Sequence, residues 1–362
     1  MVRVAIIGLG AVTRNIHLPA YAQINGLTVV GGCDVDGAAR EFARQNWNLP
    51  FVCESPIELI EKTRPEFVSI CSPPALHREH AILALRAGCQ VFCEKPVAED
   101  LDQADEIIEV SERTNRTVVV NSQFPYMRIH SAAKQKLGSP EFGRLLYLHA
   151  WQTFCPTDTT ERGWRGQLKR RLCFEFGIHV FELIRSFFDD NPTRIFAHMP
   201  TPERETHHDV INVVSTEFAD GRAASMVLNR LSKAPERYLD MRLDGEVASI
   251  HTSLGGRAQI TAGIHTREKR PFVEWRFAKG GQAILQTGHR SRVIARDPVN
   301  PFAAATAVHF RSFIDAMRSG ATPRQTARDN RNTLAMVLAA YDSAQLGRAV
   351  EMSQYQKARI LE

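Results

Sequence analysis

The sequence predicts an α/β protein in which a doubly wound parallel sheet is followed by a C-terminal α/β unit with a large open, mostly antiparallel sheet. Short apolar runs alternate with helical periodicity as far as Asn121, the first run ends in Gly8-Leu9-Gly10, and beyond Asn121 strand-length runs follow one another. Strands separated by helices of roughly 10 to 15 residues belong to parallel sheets, whereas strands joined by turns belong to antiparallel ones. The change of pattern divides the chain into residues 1–122 and 123–362.

In the first part, Val4–Ile7 leads into a helix from Asn15, Thr28–Cys33 into Ala38–Gln45, Phe67–Cys71 into His77–Ala87, and Gln90–Cys93 into Leu101–Thr114; Val118–Asn121 is the last strand. Right-handed crossovers gather the C-terminal ends of such strands on one ligand-binding edge. In the second part, strands are expected at Leu145–Thr153, Arg194–Met199, Val210–Phe218, Ala223–Leu231, Tyr238–Leu243 and Ala248–Thr252, with turns at Asp220-Gly221 and Asp244-Gly245. Helices are expected at Ile129–Leu137, Phe174–Phe188, Ala304–Gly320 and Asp329–Gly347, while residues 255–300 carry scattered Arg and Gly with weak periodicity.

Hydrophobic residues at 44% and charged residues at 23% describe a soluble globular protein. No apolar run approaches the roughly 20 residues of a membrane span, and no basic-then-apolar leader precedes the first strand, so a cytoplasmic protein is expected. The net charge of +5 is small for this length. The dense basic cluster Lys169-Arg170-Arg171, near Arg162 and Arg165, lacks the long stripe and interleaved aromatics of a nucleic-acid binder. It reads either as a solvated loop or as an anion-binding rim. The seven cysteines have no paired C-x-x-C spacing and read as reduced, mostly buried thiols. Neither His77-x-x-His80 nor His207-His208-Asp209 is completed into a tetrahedral set, so no metal is expected.

Gly8 permits a tight turn after the first strand and Gly10 lets the backbone approach a pyrophosphate at the start of the next helix; Thr13 stands where a third glycine is usual. Asp34 ends the second apolar run, about 20 residues on, where a carboxylate meets a ribose 2′-hydroxyl and repels a 2′-phosphate. NAD is therefore expected over NADP. Ser72-Pro73-Pro74 with His77, and Cys93-Glu94-Lys95-Pro96, lie just past strand ends, which aims Lys95 at the crevice. Partial desolvation suits a lysine to polarise a substrate oxygen. On the helix through Glu175-Phe-Gly-Ile-His179, positions i and i+4 share a face, pairing a carboxylate with an imidazole, and Glu182 and Ser186 extend the stripe. Gly177, unfavourable inside a helix, signals a close neighbour.

Together the G-x-G start, Asp34, Pro73-Pro74-x-x-His77, Glu94-Lys95-Pro96 and the acidic-x-x-x-His helix resemble the Gfo/Idh/MocA family over essentially the whole chain, including the Asp220-Gly221 turn and Phe313–Gly320 followed by Pro323. The resemblance implies an N-terminal Rossmann domain, an open-faced α/β substrate domain, a homodimer or homotetramer formed through the C-terminal sheet, and oxidation or reduction of sugars, cyclitols and related polyols. It implies that Lys95 polarises the reacting oxygen, that His179 is the acid/base and that Glu175 orients or assists. Gly8, Gly10, Val12, Thr13, Asp34, Ser72, Pro73, His77, Glu94 and Lys95 would line the NAD, and Gln123, Tyr126, Arg128, Trp164, Arg165 and His179 would meet the substrate. Two features depart from the family pattern. Glu175 stands where Asp is usual, and Lys169-Arg170-Arg171-Leu172-Cys173 replaces a glycine-rich lead-in, which opens the substrate to acidic sugars or phosphates.

The expected activity is hydride transfer between NAD and a secondary alcohol or ketone of a sugar, sugar acid or cyclitol-like compound. Two alternatives remain at this level: a redox-neutral enzyme that oxidises transiently with retained NAD, using Glu175 as an extra base, and a cofactor-binding sensor without turnover.

Overall fold

The computed structural model describes residues 1–155, 163–202, 208–233, 238–255, 259–265, 270–276 and 280–355. Strands β1 (Val2–Ile7), β2 (Leu27–Cys33), β3 (Val52–Cys53), β4 (Phe67–Ile70), β5 (Gln90–Glu94) and β6 (Val118–Asn121) form a parallel sheet in the order 3-2-1-4-5-6. The order reverses between β1 and β4, the switch point at which an open α/β sheet opens its ligand crevice. Helices α1 (Leu18–Tyr21), α2 (Gly37–Trp47), α3 (Pro56–Thr63), α4 (His77–Arg86) and α5 (Leu101–Thr114) make the crossovers. A π-helical turn, Thr13–His17, precedes the short α1. The pair β3 and α3 had no counterpart in the sequence reading. A two-residue strand has no period to detect, although Ser55, whose side chain accepts from the Glu58 amide, and Pro56 at the first turn are an ordinary helix start.

The second sheet has nine strands: β7 (Leu145–Thr153), β8 (Arg194–His198), β9 (Ile211–Glu217), β10 (Ala223–Asn229), β11 (Leu239–Gly245), β12 (Ser249–Leu254), and, after a separate hairpin of β13 (Gln259–His265) and β14 (Arg270–Arg276), β15 (Gln282–Thr287), β16 (Arg290–Arg296) and β17 (Val350–Glu351). Its order is 16-15-12-11-7-10-9-8-17, antiparallel except for the central β7–β10 pair, which runs parallel. The weakly periodic stretch thus holds four strands. Helices α6 (Arg128–Lys136) and α7 (Ile178–Phe188) belong to this part of the chain. Val180, Leu183, Ile184 and Phe187 of α7 are buried, as are the alternate residues Leu148 and Ala150 of β7 and Ala224, Met226 and Leu228 of β10. The intervening positions Trp151, Phe196 and Val213 lie on the other face and are 53%, 46% and 44% exposed.

The last two helices return to the first sheet. On α8 (Pro301–Ser319), Phe310 and Phe313 meet Phe67 edge-on at 5.4 and 5.2 Å, and Phe310 also meets Phe92. Before α9 (Ala327–Leu346) the Gln325 carbonyl accepts from Val120 N at 2.7 Å, and within it Asn330 Oδ1 accepts from Val97 N at 2.9 Å. The end of the chain therefore braces the crevice-side ends of β5 and β6.

Candidate active site

Gly8 adopts φ +95°, and a Cβ there would lie 2.7 Å from the backbone of Cys71 and Ser72, so only glycine fits between β1 and β4. A Cβ on Gly10 would meet nothing within 4 Å: its backbone borders open space, as a pyrophosphate cradle requires. Thr13 is buried and donates from Oγ1 to the Gly8 carbonyl at 2.6 Å, so it fastens the turn. Asp34 accepts from Leu9 N at 2.7 Å and from Asp36 N at 2.9 Å, which ties the end of β2 to the glycine turn. Val12 and Pro73 are half-buried beside these segments. Glycine turn, acidic β2 end and switch point together suit a dinucleotide.

His77 is fully buried, with Nδ1 2.8 Å from the Pro96 carbonyl and Nε2 2.8 Å from the Ser72 carbonyl. It clamps the loops after β4 and β5 together. Ser72 Oγ lies 2.9 Å from His80 Nδ1. Glu94, also buried, binds His17 Nε2 and Asn121 Nδ2, each at 2.7 Å. Burial opposes charge on His17, but Cys71, Tyr21 and Glu94 outweigh it and raise its pKa well above the ordinary value; burial opposes charge on Glu94 too, yet the bond to His17 lowers its pKa. A buried imidazolium–carboxylate pair thus anchors the strand end that bears Lys95.

The next residue, Lys95, donates from Nζ to the backbone carbonyl of Glu175 at 2.5 Å, joining the two halves of the site. Burial holds the ammonium below the usual lysine pKa, against the pull of Glu175 and Glu94. The chain around Glu175 is a π-helical segment, Leu172–Gly177, continuing into α7. Asp209 fixes its start by accepting from Arg171 N at 2.7 Å, Cys173 N at 2.8 Å, Asn212 Nδ2 at 3.1 Å and the Tyr341 hydroxyl at 3.0 Å. The close neighbour of Gly177 is Leu228 of β10, 2.5 Å from where a Cβ would stand, so that glycine serves packing.

The wider π turn breaks the regular spacing that put Glu175 and His179 on one face. Glu175 Oε1 accepts from Arg165 Nε, and Arg171 Nε lies 3.9 Å from Oε2. The imidazole of His179 instead stacks on Phe124, centroid to centroid 4.1 Å and 7° from parallel, with no hydrogen-bond partner among the described residues. Burial first and the Lys95 charge second hold His179 well below the usual histidine pKa, so the ring is neutral. The carboxylate–imidazole dyad expected from the sequence is not formed.

Of the residues expected to meet substrate, Gln123 is buried beside Phe124, and Trp164 lies under the Arg165 guanidinium at 4.4 Å. Arg128 is exposed at the start of α6. Tyr126 stacks on His309 at 4.1 Å and borders a cavity of ≈ 750 Å³ shared with Glu182, Arg185 and Arg324, whose lining includes none of Lys95, Glu175 and His179. Sequence reasoning missed Phe124, His17 and the positioning roles of Asp209 and Arg171. The last two left a trace as the basic lead-in and the acid before β9. His207 and Arg162 lie outside the described residues. Among the described residues no three His, Cys, Asp or Glu side chains are grouped as a metal site needs.

The geometry has counterparts in known proteins. Residues 2–122 match the description "Oxidoreductase family, NAD-binding Rossmann fold" and residues 130–251 match the GFO/IDH/MocA C-terminal domain. The chain is 26% identical over 353 residues to a D-apiose dehydrogenase of Paraburkholderia graminis, covering 96% of this chain and 89% of that protein. It is 24% identical to inositol 2-dehydrogenase 1 of Paenarthrobacter aurescens, covering 97% and 96%. Its fold superposes with a TM-score of 0.82, at 17% identity and covering 98% and 99%, on an oxidoreductase from Agrobacterium radiobacter solved with NAD+, L-tartaric acid and magnesium. The chain belongs to the Gfo/Idh/MocA family of NAD-binding oxidoreductases.

Proposed function

We propose that the protein moves a hydride between NAD and a CH–OH carbon of a sugar, sugar acid or cyclitol-like substrate, with Lys95 and His179 handling the reacting oxygen and its proton. The observation that carries this reading is that Lys95, an ammonium of lowered pKa, acts electrostatically on His179, a neutral imidazole with no hydrogen-bond partner among the described residues. When bound, NAD supplies the hydride acceptor or donor. Gly8, Gly10, Val12, Asp34, Ser72, Pro73 and Lys95 would hold it, with Thr13, His77 and Glu94, whose buried side chains have other partners, acting through the turn and loops they fasten. In the oxidation direction, His179 takes the hydroxyl proton and Lys95 stabilises the oxygen as the carbonyl forms; in reduction both act in reverse. Gln123, Trp164 and Arg165 lie on the substrate side of this reading.

The carboxylate of Glu175 pairs with Arg165 and lies 3.9 Å from Arg171, which argues for a positioning role over that of the extra base in a redox-neutral reaction. In this reading residues 1–122 form the cofactor unit and 123–362 the substrate unit, α8 and α9 docking back on the former. The seven unbridged thiols support a reducing, cytoplasmic setting. Apolar Trp151, Phe196 and Val213 on the outer sheet face support a homodimer or homotetramer closed through that face. The test is reduction of NAD or NADP by the purified protein across neutral sugars, sugar acids and cyclitols, with product analysis in parallel. Reduced NAD with one compound class supports the reading; substrate conversion without net reduction, or no conversion at all, overturns it.

A further inference from the structure

Arg165 has five N–H donors on a planar fork. The Nε–H is spent on Glu175 Oε1, and the two terminal amino groups have no partner among the described residues. Trp164 covers the guanidinium face at 4.4 Å. Stacking occupies the face but not the in-plane terminal donors of a side chain that is 31% exposed, an arrangement that suits a bidentate oxyanion. Glu175 makes this possible. Its carboxylate lies between Arg165 and Arg171, while its backbone carbonyl holds Lys95 Nζ. One residue therefore sets the positions of a candidate catalytic lysine and of an arginine with unused donors.

Lys95 also feels the positive charge of Arg165, which helps to lower its pKa.

We propose that Arg165 is the specificity-determining residue of this site and that the substrate is an anionic sugar derivative whose carboxylate or phosphate oxyanion docks on its terminal amino groups. This inference deepens the hydride-transfer reading and rests on it. A neutral substrate would leave the fork to water. Charge-assisted bonds of this kind separate a ligand from its neutral analogue by about ten- to a hundredfold.

The test is a tryptophan-fluorescence titration of the NAD-loaded protein with D-gluconate, D-glucuronate and glucose 6-phosphate against D-glucose and myo-inositol, in parallel with turnover of the same compounds. The expected result is an anion bound at least about tenfold more tightly than its neutral analogue. Arg165→Met should bring that ratio near one, and Arg165→Lys, which keeps the charge but loses the fork, should retain part of it. Preference for the acids or for the phosphate identifies the oxyanion. Neutral compounds binding as tightly as every anion, or Arg165→Met weakening both classes alike, would overturn the proposal. NAD reduction by neutral sugars without any anion preference overturns this inference alone; selective anion binding without hydride transfer to or from any compound overturns the hydride-transfer reading instead.

Discussion

The two sides of Lys95 are electrostatic opposites. Behind it, His17 is fully buried yet charged, because Cys71 and Tyr21 surround it and Glu94, steadied by Asn121, faces it at 2.7 Å. In front, His179 is equally enclosed yet neutral, because burial opposes its charge and the charge that acts on it, Lys95, is a cation. The same side chain at the same depth takes opposite states because burial always opposes charge, and only at His17 do neighbours that favour the cation, Cys71, Tyr21 and Glu94, outweigh it. The charged histidine fixes a strand end; the neutral one keeps a ring lone pair without a hydrogen-bond partner among the described residues. Buried His130 and His309, with pKa values lowered to about 4 and about 3 by burial, side with His179.

The largest expected effect lies at the junction of the two sides. Lys95→Ala should lower turnover by roughly two to three orders of magnitude while NAD binding, measured by fluorescence titration, stays nearly intact. A fully active variant would remove Lys95 from the reaction.

His17→Ala leaves Glu94 buried without its cation and should cost about 3 kcal/mol in a denaturant titration. Pairing it with Glu94→Gln should recover part of that loss. If the double variant is no better than the single one, His17 contributes through packing and the charged pair is not what anchors Lys95.

Stability should respond to pH in opposite directions on the two sides. His17 has a raised pKa, so its contribution is complete below about 6.5 and is lost as pH rises through the raised value. The neutral histidines have lowered values, so the unfolded chain takes up protons first and stability falls as pH drops below about 6.5. His309→Phe, which keeps a ring between Tyr126 and Phe92, should lessen the decline by about 2 kcal/mol near pH 5. Parallel stability curves for variant and parent between about pH 6.5 and 4 would show that His309 does not titrate on unfolding.

The smallest effect is expected at the stack itself. Phe124→Leu keeps the volume apolar but removes the flat surface under His179, and should lower kcat by about tenfold with KM little changed. Phe124→Tyr should restore most of it. A loss in KM alone would assign Phe124 to substrate packing rather than to orienting the imidazole.

Much of the cofactor side was legible because its geometry is local. The tight turn at Gly8 was readable from the sequence, whereas the Thr13 bond to that turn and the tie from Leu9 to Asp34, which join residues of the same β-α-β unit, came from the structure. The substrate side was not legible to the same degree. Helical spacing suggested a Glu175–His179 pair, but the π turn between them and the arginines on either side took the carboxylate elsewhere. Gly177 was correctly read as a sign of close approach, and the approaching group proved to be Leu228, a packing partner from a strand distant in the chain. Short or weakly periodic strands, β3 and β13 to β16, escaped because two residues carry no period and a polar-rich strand carries a faint one.

By itself the sequence determined the class of the fold, the glycine turn with its acidic partner, the placement of Lys95 at a strand end, and the family. Each depends on period, spacing or backbone freedom between near neighbours. Only the tertiary structure decided which histidine is charged, that Glu175 serves Arg165 and Lys95 rather than His179, and that α8 and α9 return to brace the first sheet. Those outcomes depend on which charges and rings meet across long stretches of chain, and burial multiplies their energies by excluding the water that would otherwise level them.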